Sequence, residues 1–229
     1  MKIVIIHGQN HKGSTYHIAR MLAEKIKGDI KEFFLPRDFG EFCVGCTKCF
    51  MESEKKCPHY EKLKPLTAAI DETDVIILAS PVYVYHVTGA MKTFLDHYGY
   101  RWMVHRPKES MFRKQGVCIS TAAGAGMKPT NKDMADSLFF WGVAKRYQYG
   151  VRVAAVNWNG VSEKKKCAID KATSGIAKKI VNNSKHVKPG IKTRAMFWAM
   201  HFAQRKGVNP CDAEYWKSKG WTGKKRPWK

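Results

Sequence analysis

The sequence predicts an α/β protein: a doubly wound, five-stranded parallel sheet followed by a C-terminal helical extension. Three observations carry this reading. Short runs such as Met1-Lys2-Ile3-Val4-Ile5-Ile6 and Asp74-Val75-Ile76-Ile77-Leu78-Ala79 are apolar on both faces, as strands of a parallel sheet are. Between the runs, apolar residues recur every three or four positions, which is helix period. Small polar or glycine-bearing loops follow three of the strands.

In order, the first strand ends at Ile6, and His7–Thr15 leads into a helix marked by Ile18, Leu22 and Ile26. Asp29–Phe34 is the second strand, flanked by Gly28 and Pro36. Gly40–Cys57 reads as a loop with four cysteines, and His59–Ile70 as a helix that Pro65 starts or kinks. Asp74–Ala79 is the third strand, Ser80–Tyr85 its loop and Gly89–Tyr98 the next helix. Gln115–Ser120 is the fourth strand, Thr121–Met127 its loop and Asn131–Lys145 a helix. Tyr149–Val156 is the fifth strand and Ser162–Val181 the helix after it. Five such units within residues 1–185 fit the flavodoxin-like strand order 2-1-3-4-5, and 186–229 remain as a basic, aromatic-rich extension.

Ligands of such sheets bind beyond the carboxyl ends of the strands, where the strand order reverses. The loops His7–Thr15, Ser80–Tyr85 and Thr121–Met127 meet there. In the first, Gln9, Asn10, Lys12, Gly13, Ser14 and Thr15 surround a helix N-terminus, whose free N–H groups and dipole favour an anion. The loop is neither G-x-G-x-x-G nor G-x-x-x-x-G-K-[ST], so it suits a terminal phosphate monoester such as that of FMN better than a dinucleotide or nucleoside triphosphate. The alternative is an ordinary helix cap, with Ser14 or Thr15 serving only the helix. Ser80, Pro81, Val82, Tyr83 and Val84 bring a rigid turn and an aromatic ring; Thr121, Ala122, Ala123, Gly124 and Gly126 bring backbone amides with little side chain in the way. Both suit a flat tricyclic ring, although Tyr83 and Tyr85 are also of a kind that packs beneath a following helix. Histidines 7, 11, 86 and 97 fall near these loops and are expected at the surface rather than as proton donors.

The chain carries 41 Lys and Arg against 19 Asp and Glu, a formal net charge of +22. A nucleic-acid or acidic-membrane partner is a class this charge admits, but the basic residues are spread along the chain with no accompanying motif, which argues against nucleic acid. No stretch is apolar for the eighteen or so residues that a membrane helix needs, and the first apolar run is too short for a secretory signal. A cytoplasmic protein is expected, with its seven cysteines reduced.

Gly8–Thr15, Cys43-Val44-Gly45-Cys46-Thr47-Lys48-Cys49 with Cys57, Ser80-Pro81-Val82-Tyr83 with Lys92 and Phe94-Leu95-Asp96, and the small-residue loop after the fourth strand together resemble the flavodoxin-like NAD(P)H-dependent FMN reductases, in particular their iron–sulfur flavoprotein branch. The resemblance covers about residues 1 to 156. It implies noncovalently bound FMN, NAD(P)H as reductant, an electron acceptor of unspecified identity, and a homodimer or homotetramer with FMN near a subunit interface. Where that pattern often continues Asp-Arg, this chain has Asp96-His97.

Cys43, Cys46, Cys49 and Cys57, spaced C-x2-C-x2-C-x7-C with Pro58 next, are candidate metal ligands. Bacterial ferredoxins use a similar run, although there the last cysteine serves a second cluster. The resemblance implies one [4Fe–4S] cluster on all four. Zinc and no metal at all stay open on the spacing alone. Cys118 reads as core. An electron carrier holding such a cluster is the alternative to a reductase, and the basic charge weighs against it. In the extension, Thr193–Arg205 is apolar nearly all round as a helix and too short to span a bilayer. Burial against a neighbouring subunit is the expectation, with Trp216, Trp221 and Trp228 along that neighbour or over its flavin edge; packing on its own domain is the alternative.

Overall fold

The computed structural model describes residues 1–229. Its strands are β1 (Lys2–His7), β2 (Asp29–Phe34), β3 (Val75–Pro81), β4 (Gln115–Ala122) and β5 (Lys145–Arg152). The helices are α1 (Ser14–Ile26), α2 (Lys48–Met51), α3 (Tyr60–Glu72), α4 (Gly89–Asp96), α5 (Met127–Phe140), α6 (Glu163–Asn183), α7 (Ile191–Arg205) and α8 (Pro210–Ser218). All strand pairs are parallel, in the order β2-β1-β3-β4-β5.

The apolar runs explain the layers. Alternate side chains of β1, β3 and β4 point to opposite faces. On one face Val4, Ile6, Ile76 and Leu78 pack under α3, α4 and α5 through Leu66, Ile70, Met91, Phe94, Met134 and Leu138. On the other, Ile3, Ile5, Ile77 and Ile119 pack under α1 and α6 through Ile18, Leu22, Ile169 and Ile180. Both faces of the central strands are therefore covered, which is the condition for a parallel sheet.

Three expectations shift. The fifth strand lies at Lys145–Arg152, four residues before the predicted Tyr149–Val156. It is an edge strand of alternating exposure, so its charged start carries no continuous apolar run. The helix before it begins at Met127 rather than Asn131 and stops at Phe140, just before Gly142, whose φ of +89° ends it. Pro65 lies inside α3, which excludes the helix start and leaves the kink of the two expected roles.

The C-terminal extension is the larger correction. Phe197, Trp216 and Trp221 are fully buried, and they pack on Met103 and Phe112 of the same chain rather than on a neighbour. Trp228 stands 5.0 Å from Phe197, ring to ring. The reason lies in Phe112 and Met103, which the strand layers leave uncovered and which sequence periodicity does not flag. The apolar side of α7 left outside by this packing, Trp198 and Phe202, remains exposed.

The extension also holds the cysteine-bearing segment. Asp212, buried in α8, accepts from Arg106 at 2.6 Å and pairs with His105 at 2.7 Å. Arg106 in turn donates to the carbonyls of Cys49 and Phe50. Asn209 and the Cys211 thiol donate to the Phe50 and Met51 carbonyls at 3.3 and 2.8 Å. So the last carbonyls of the four-residue helix α2, which has no buried residue of its own, are satisfied by the C-terminal segment.

Candidate cofactor site at the strand ends

The loops after β1, β3 and β4 are tied together by backbone groups that the sheet leaves free. Gly8 N–H donates to Ala79 O at 2.7 Å, and Val82 N–H donates to Thr121 O at 2.9 Å. Thr88 caps α4, its hydroxyl accepting from Met91 N–H at 3.1 Å and donating to Gly8 O at 2.5 Å. Ser80 is fully buried; its hydroxyl accepts from Thr88 N–H at 3.1 Å and donates to Pro81 O at 2.9 Å. These bonds fix the switch point between β1 and β3 as one rigid floor.

On that floor sits a hollow of about 170 Å³, lined in part by Gln9, Gly13, Ser14, Thr15, Val82 and Tyr83. Thr121, Ala122 and Ala123 close it from β4. Helix α1 opens onto it with Ser14 and Thr15 as its first two residues; the N-cap is Gly13, and no side chain caps the helix. Its first N–H groups thus have no partner within the helix and none from a cap. Neither Ser14 nor Thr15 is the cap that the alternative reading required. Thr15 is instead turned to Thr121, with their hydroxyl oxygens 2.5 Å apart and buried.

A second hollow of about 610 Å³ adjoins the first, lined by Gly8, Asn10 and Pro36 among others. Gln9, His11 and Tyr83 line both hollows. Tyr83 O–H donates to Gln9 Oε1 at 3.0 Å, and Gln9 Nε2 donates to His11 Nε2 at 3.1 Å. Lys12 is exposed, with its ammonium 5.4 Å from the Tyr16 ring centre. Gly124 is exposed in the third loop. Gly126, at φ +97°, is the N-cap of α5, and a Cβ there would come within 2.6 Å of Val82 Cγ1. Only glycine brings the second and third loops this close.

The tip of the second loop is unusual. Tyr83 and His86 exchange both backbone hydrogen bonds at 3.0 Å, so Val84 and Tyr85 form a two-residue hairpin turn. Both have positive φ, +47° and +68°, which a type I′ turn demands and which a β-branched residue resists. Tyr83, Val84 and Tyr85 are all exposed, so neither tyrosine packs beneath α4. Sequence reasoning misses Val153, Ala155 and Val156, which line the hollow from the loop after β5. It puts them in the fifth strand; locating that strand by its alternation would free them.

Of the four histidines, His11 and His86 are exposed as expected, but His7 and His97 are buried. Burial holds the His7 pKa below its ordinary value, opposed by its 2.8 Å contact with Glu32. Among the cysteines, Cys43 and Cys46 are exposed, Cys49 and Cys57 half-buried and Cys118 buried. Burial pushes the Cys49 thiol up to about 11, and Cys57, Cys43 and Cys46 add to that rise. All four cysteines lie along one loop, a donor set of the kind that clusters use; of the four, only Cys57 joins a close group of ligand atoms, with His59 and His97.

A family model described as NADPH-dependent FMN reductase matches residues 1–153. An iron-sulfur flavoprotein of Archaeoglobus fulgidus is 39% identical over 88 residues, 37% of this chain and 36% of that protein. The NADPH azoreductase of Bacillus sp. (strain OY1-2) is 30% identical over 130 residues, 55% of this chain and 61% of that protein. The chain thus covers less than two thirds of these relatives' own length. Among solved structures, a flavone reductase superposes with a TM-score of 0.59 at 17% identity, over 83% of this chain and 66% of that one. An apo NADH:FMN oxidoreductase gives 0.56 at 17% identity, over 82% and 95%. At such identities the structural likeness is one of fold, whereas the family match spans the three loops described above, and by it the chain belongs to the NADPH-dependent FMN reductase family.

Proposed function

We propose that the chain is an FMN-dependent oxidoreductase that takes hydride from NAD(P)H and passes electrons to an acceptor. The observation that carries this reading is the uncapped N-terminus of α1, which opens on the same hollow as Val82, Tyr83 and Ala122–Ala123. The chemistry supplied by bound FMN is acceptance of hydride and release of one or two electrons. The protein binds and orients. Ser14 and Thr15 offer hydroxyls and, with the first-turn N–H groups, receive the phosphate; Lys12 adds charge. Gln9, Asn10, Pro81–Val84 and the backbone of Thr121–Gly126 flank the ring. The Tyr83–Gln9–His11 chain is made of side chains only, so its opening joins the two hollows into a space of flavin size.

The exposed apolar residues Val84, Tyr85 and Val156 around this mouth, with Phe42 and Val44 of the cysteine loop, support a homo-oligomer that covers the flavin edge. No helix is long and apolar enough to cross a membrane, and a cytoplasmic setting is part of the same proposal. The FMN-loaded protein, mixed anaerobically with NADPH or NADH, should lose its yellow colour within the first turnovers. A flavin that stays oxidised would instead favour an electron carrier reduced by another protein.

A second reading concerns Cys43, Cys46, Cys49 and Cys57, which we propose as the ligands of a [4Fe–4S] cluster beside the flavin. Its support is the placement of the four cysteines along one loop and the name of the 39%-identical iron-sulfur flavoprotein. A cluster there would supply one-electron relay. Iron and acid-labile sulfide in anaerobically purified protein test it directly; absence of both after reconstitution removes the cluster and leaves the reductase reading intact.

A further inference from the structure

Away from the flavin loops, one other set of ligand-type atoms converges. Cys57, His59 and His97 each present one metal-binding atom, all within 4.8 Å of one another. Nδ1 of His59 lies 3.0 Å from Nε2 of His97. The other ring nitrogen of His97, Nδ1, is 2.8 Å from Thr93 O. A carbonyl only accepts, so Nδ1 carries the proton and Nε2 presents a lone pair. A backbone carbonyl holding the far nitrogen is how proteins set the tautomer and tilt of a histidine metal ligand. Phe39 stands edge-on to the His97 ring at 4.8 Å, which limits its rotation. His97 is buried, and Cys57 and His59 are half-buried, so an ion would be shielded yet reachable.

We propose that Cys57, His59 and His97 form a mononuclear site for a borderline divalent transition-metal ion, zinc foremost, with the fourth position filled by water. One thiolate and two imidazoles suit tetrahedral zinc, and the lack of an oxygen cage disfavours calcium and magnesium. The site does not depend on the flavin reading. It does compete with the cluster: Cys57 belongs to both donor sets, so loading one releases or excludes the other. Position explains what the ion does. His59 is the N-cap of α3 and His97 the C-cap of α4, and α4 is capped by Thr88, the residue that ties the flavin loops together. An ion at this point fastens the cysteine loop and α3 to the far end of the helix that organises the flavin floor.

The test is titration of the full-length, metal-stripped, reduced protein with Co²⁺, followed by competition with Zn²⁺. The expected result is one Co²⁺ per chain, with the intense visible bands of tetrahedral cobalt, a thiolate-to-cobalt charge-transfer band, and loss of both on adding Zn²⁺. Cys57→Ser and His59→Ala should each weaken binding by more than about tenfold. Cys43→Ser with Cys46→Ser, which removes two cluster ligands, should leave it unchanged. His97→Ala is the buried variant at risk of misfolding, and the half-buried His59 keeps the test decisive if it fails. No saturable binding, a weak octahedral spectrum without charge transfer, or binding lost with Cys43 and Cys46 but kept in His59→Ala would overturn the proposal.

Discussion

Thr15 and Thr121, 106 positions apart, meet through their hydroxyls at 2.5 Å in a buried contact. It joins the first turn of α1 to the end of β4, and so joins the loop assigned to the phosphate to the loop assigned to the ring. With one partner removed, the other hydroxyl is left buried and unpaired, at a cost of about 1–3 kcal/mol. Thr121→Val should therefore destabilise the protein, and Thr15→Val with Thr121→Val should cost less than the sum of the single changes. Urea unfolding of the three variants measures this; strictly additive costs would mean the hydroxyls do not interact.

The turn at Val84-Tyr85 holds two non-glycine residues at positive φ, and neither side chain is buried to compensate. Such conformations cost about 1–3 kcal/mol each and are kept where a ligand is clamped. Val84→Asn combined with Tyr85→Gly supplies the Asn-Gly pair that a type I′ turn prefers. The double change should raise stability by about 1 kcal/mol or more while weakening flavin binding. A variant that is both more stable and binds FMN as tightly as the parent would show that the tip takes no part in the site.

Much of this is legible in the sequence. β1, β3 and β4 announce themselves because consecutive residues such as Ile3 and Val4, Ile77 and Leu78, and Val117 and Cys118 are buried on opposite faces, which only a continuous apolar run satisfies. The three loops follow from those strand ends. β5 does not, because at a sheet edge its Lys145, Arg146 and Gln148 need no burial, and the error carries Val153–Val156 out of the site. The packing of Trp216 and Trp221 on Phe112 is hidden because a tail's apolar face does not say which surface will cover it. The meeting of His59 with His97, 38 positions apart, needs the α3–α4 geometry and has no sequence signature.

Asp212 is 1% exposed and holds Arg106, whose side chain is 10% exposed, against the carbonyls of Cys49 and Phe50. Loss of one partner of such a buried pair leaves an uncompensated charge. Asp212→Asn should cost about 3 kcal/mol. It should also loosen the cysteine loop, which alkylation of Cys49 by a thiol reagent under native conditions would register as a faster rate. Unchanged reactivity would mean that the loop is held by other contacts.

His7 gives the protein an acid sensitivity of definite sign. Its pKa is lowered in the folded state chiefly by burial, with Arg20 and Lys12 acting in the same direction and Glu32 against it. The unfolded chain therefore takes up a proton first as pH falls below about 6.5, and stability is lost from there down to the folded-state pKa. His7→Gln should flatten the melting temperature against pH in that window. An identical slope in the variant would assign the sensitivity to other groups.

Binding of a flavin nucleotide with its phosphate at the N-terminus of α1 is the proposal on which the others rest. The most direct measurement is the affinity of the apoprotein for FMN and for riboflavin, which lacks the phosphate, in the parent and in Ser14→Ala with Thr15→Ala. The parent should prefer FMN strongly. The double variant should lose about 3 kcal/mol, roughly a hundredfold, of FMN affinity while binding riboflavin nearly as before. Equal affinity for the two flavins in the parent, or an FMN preference that survives the double substitution intact, would contradict it.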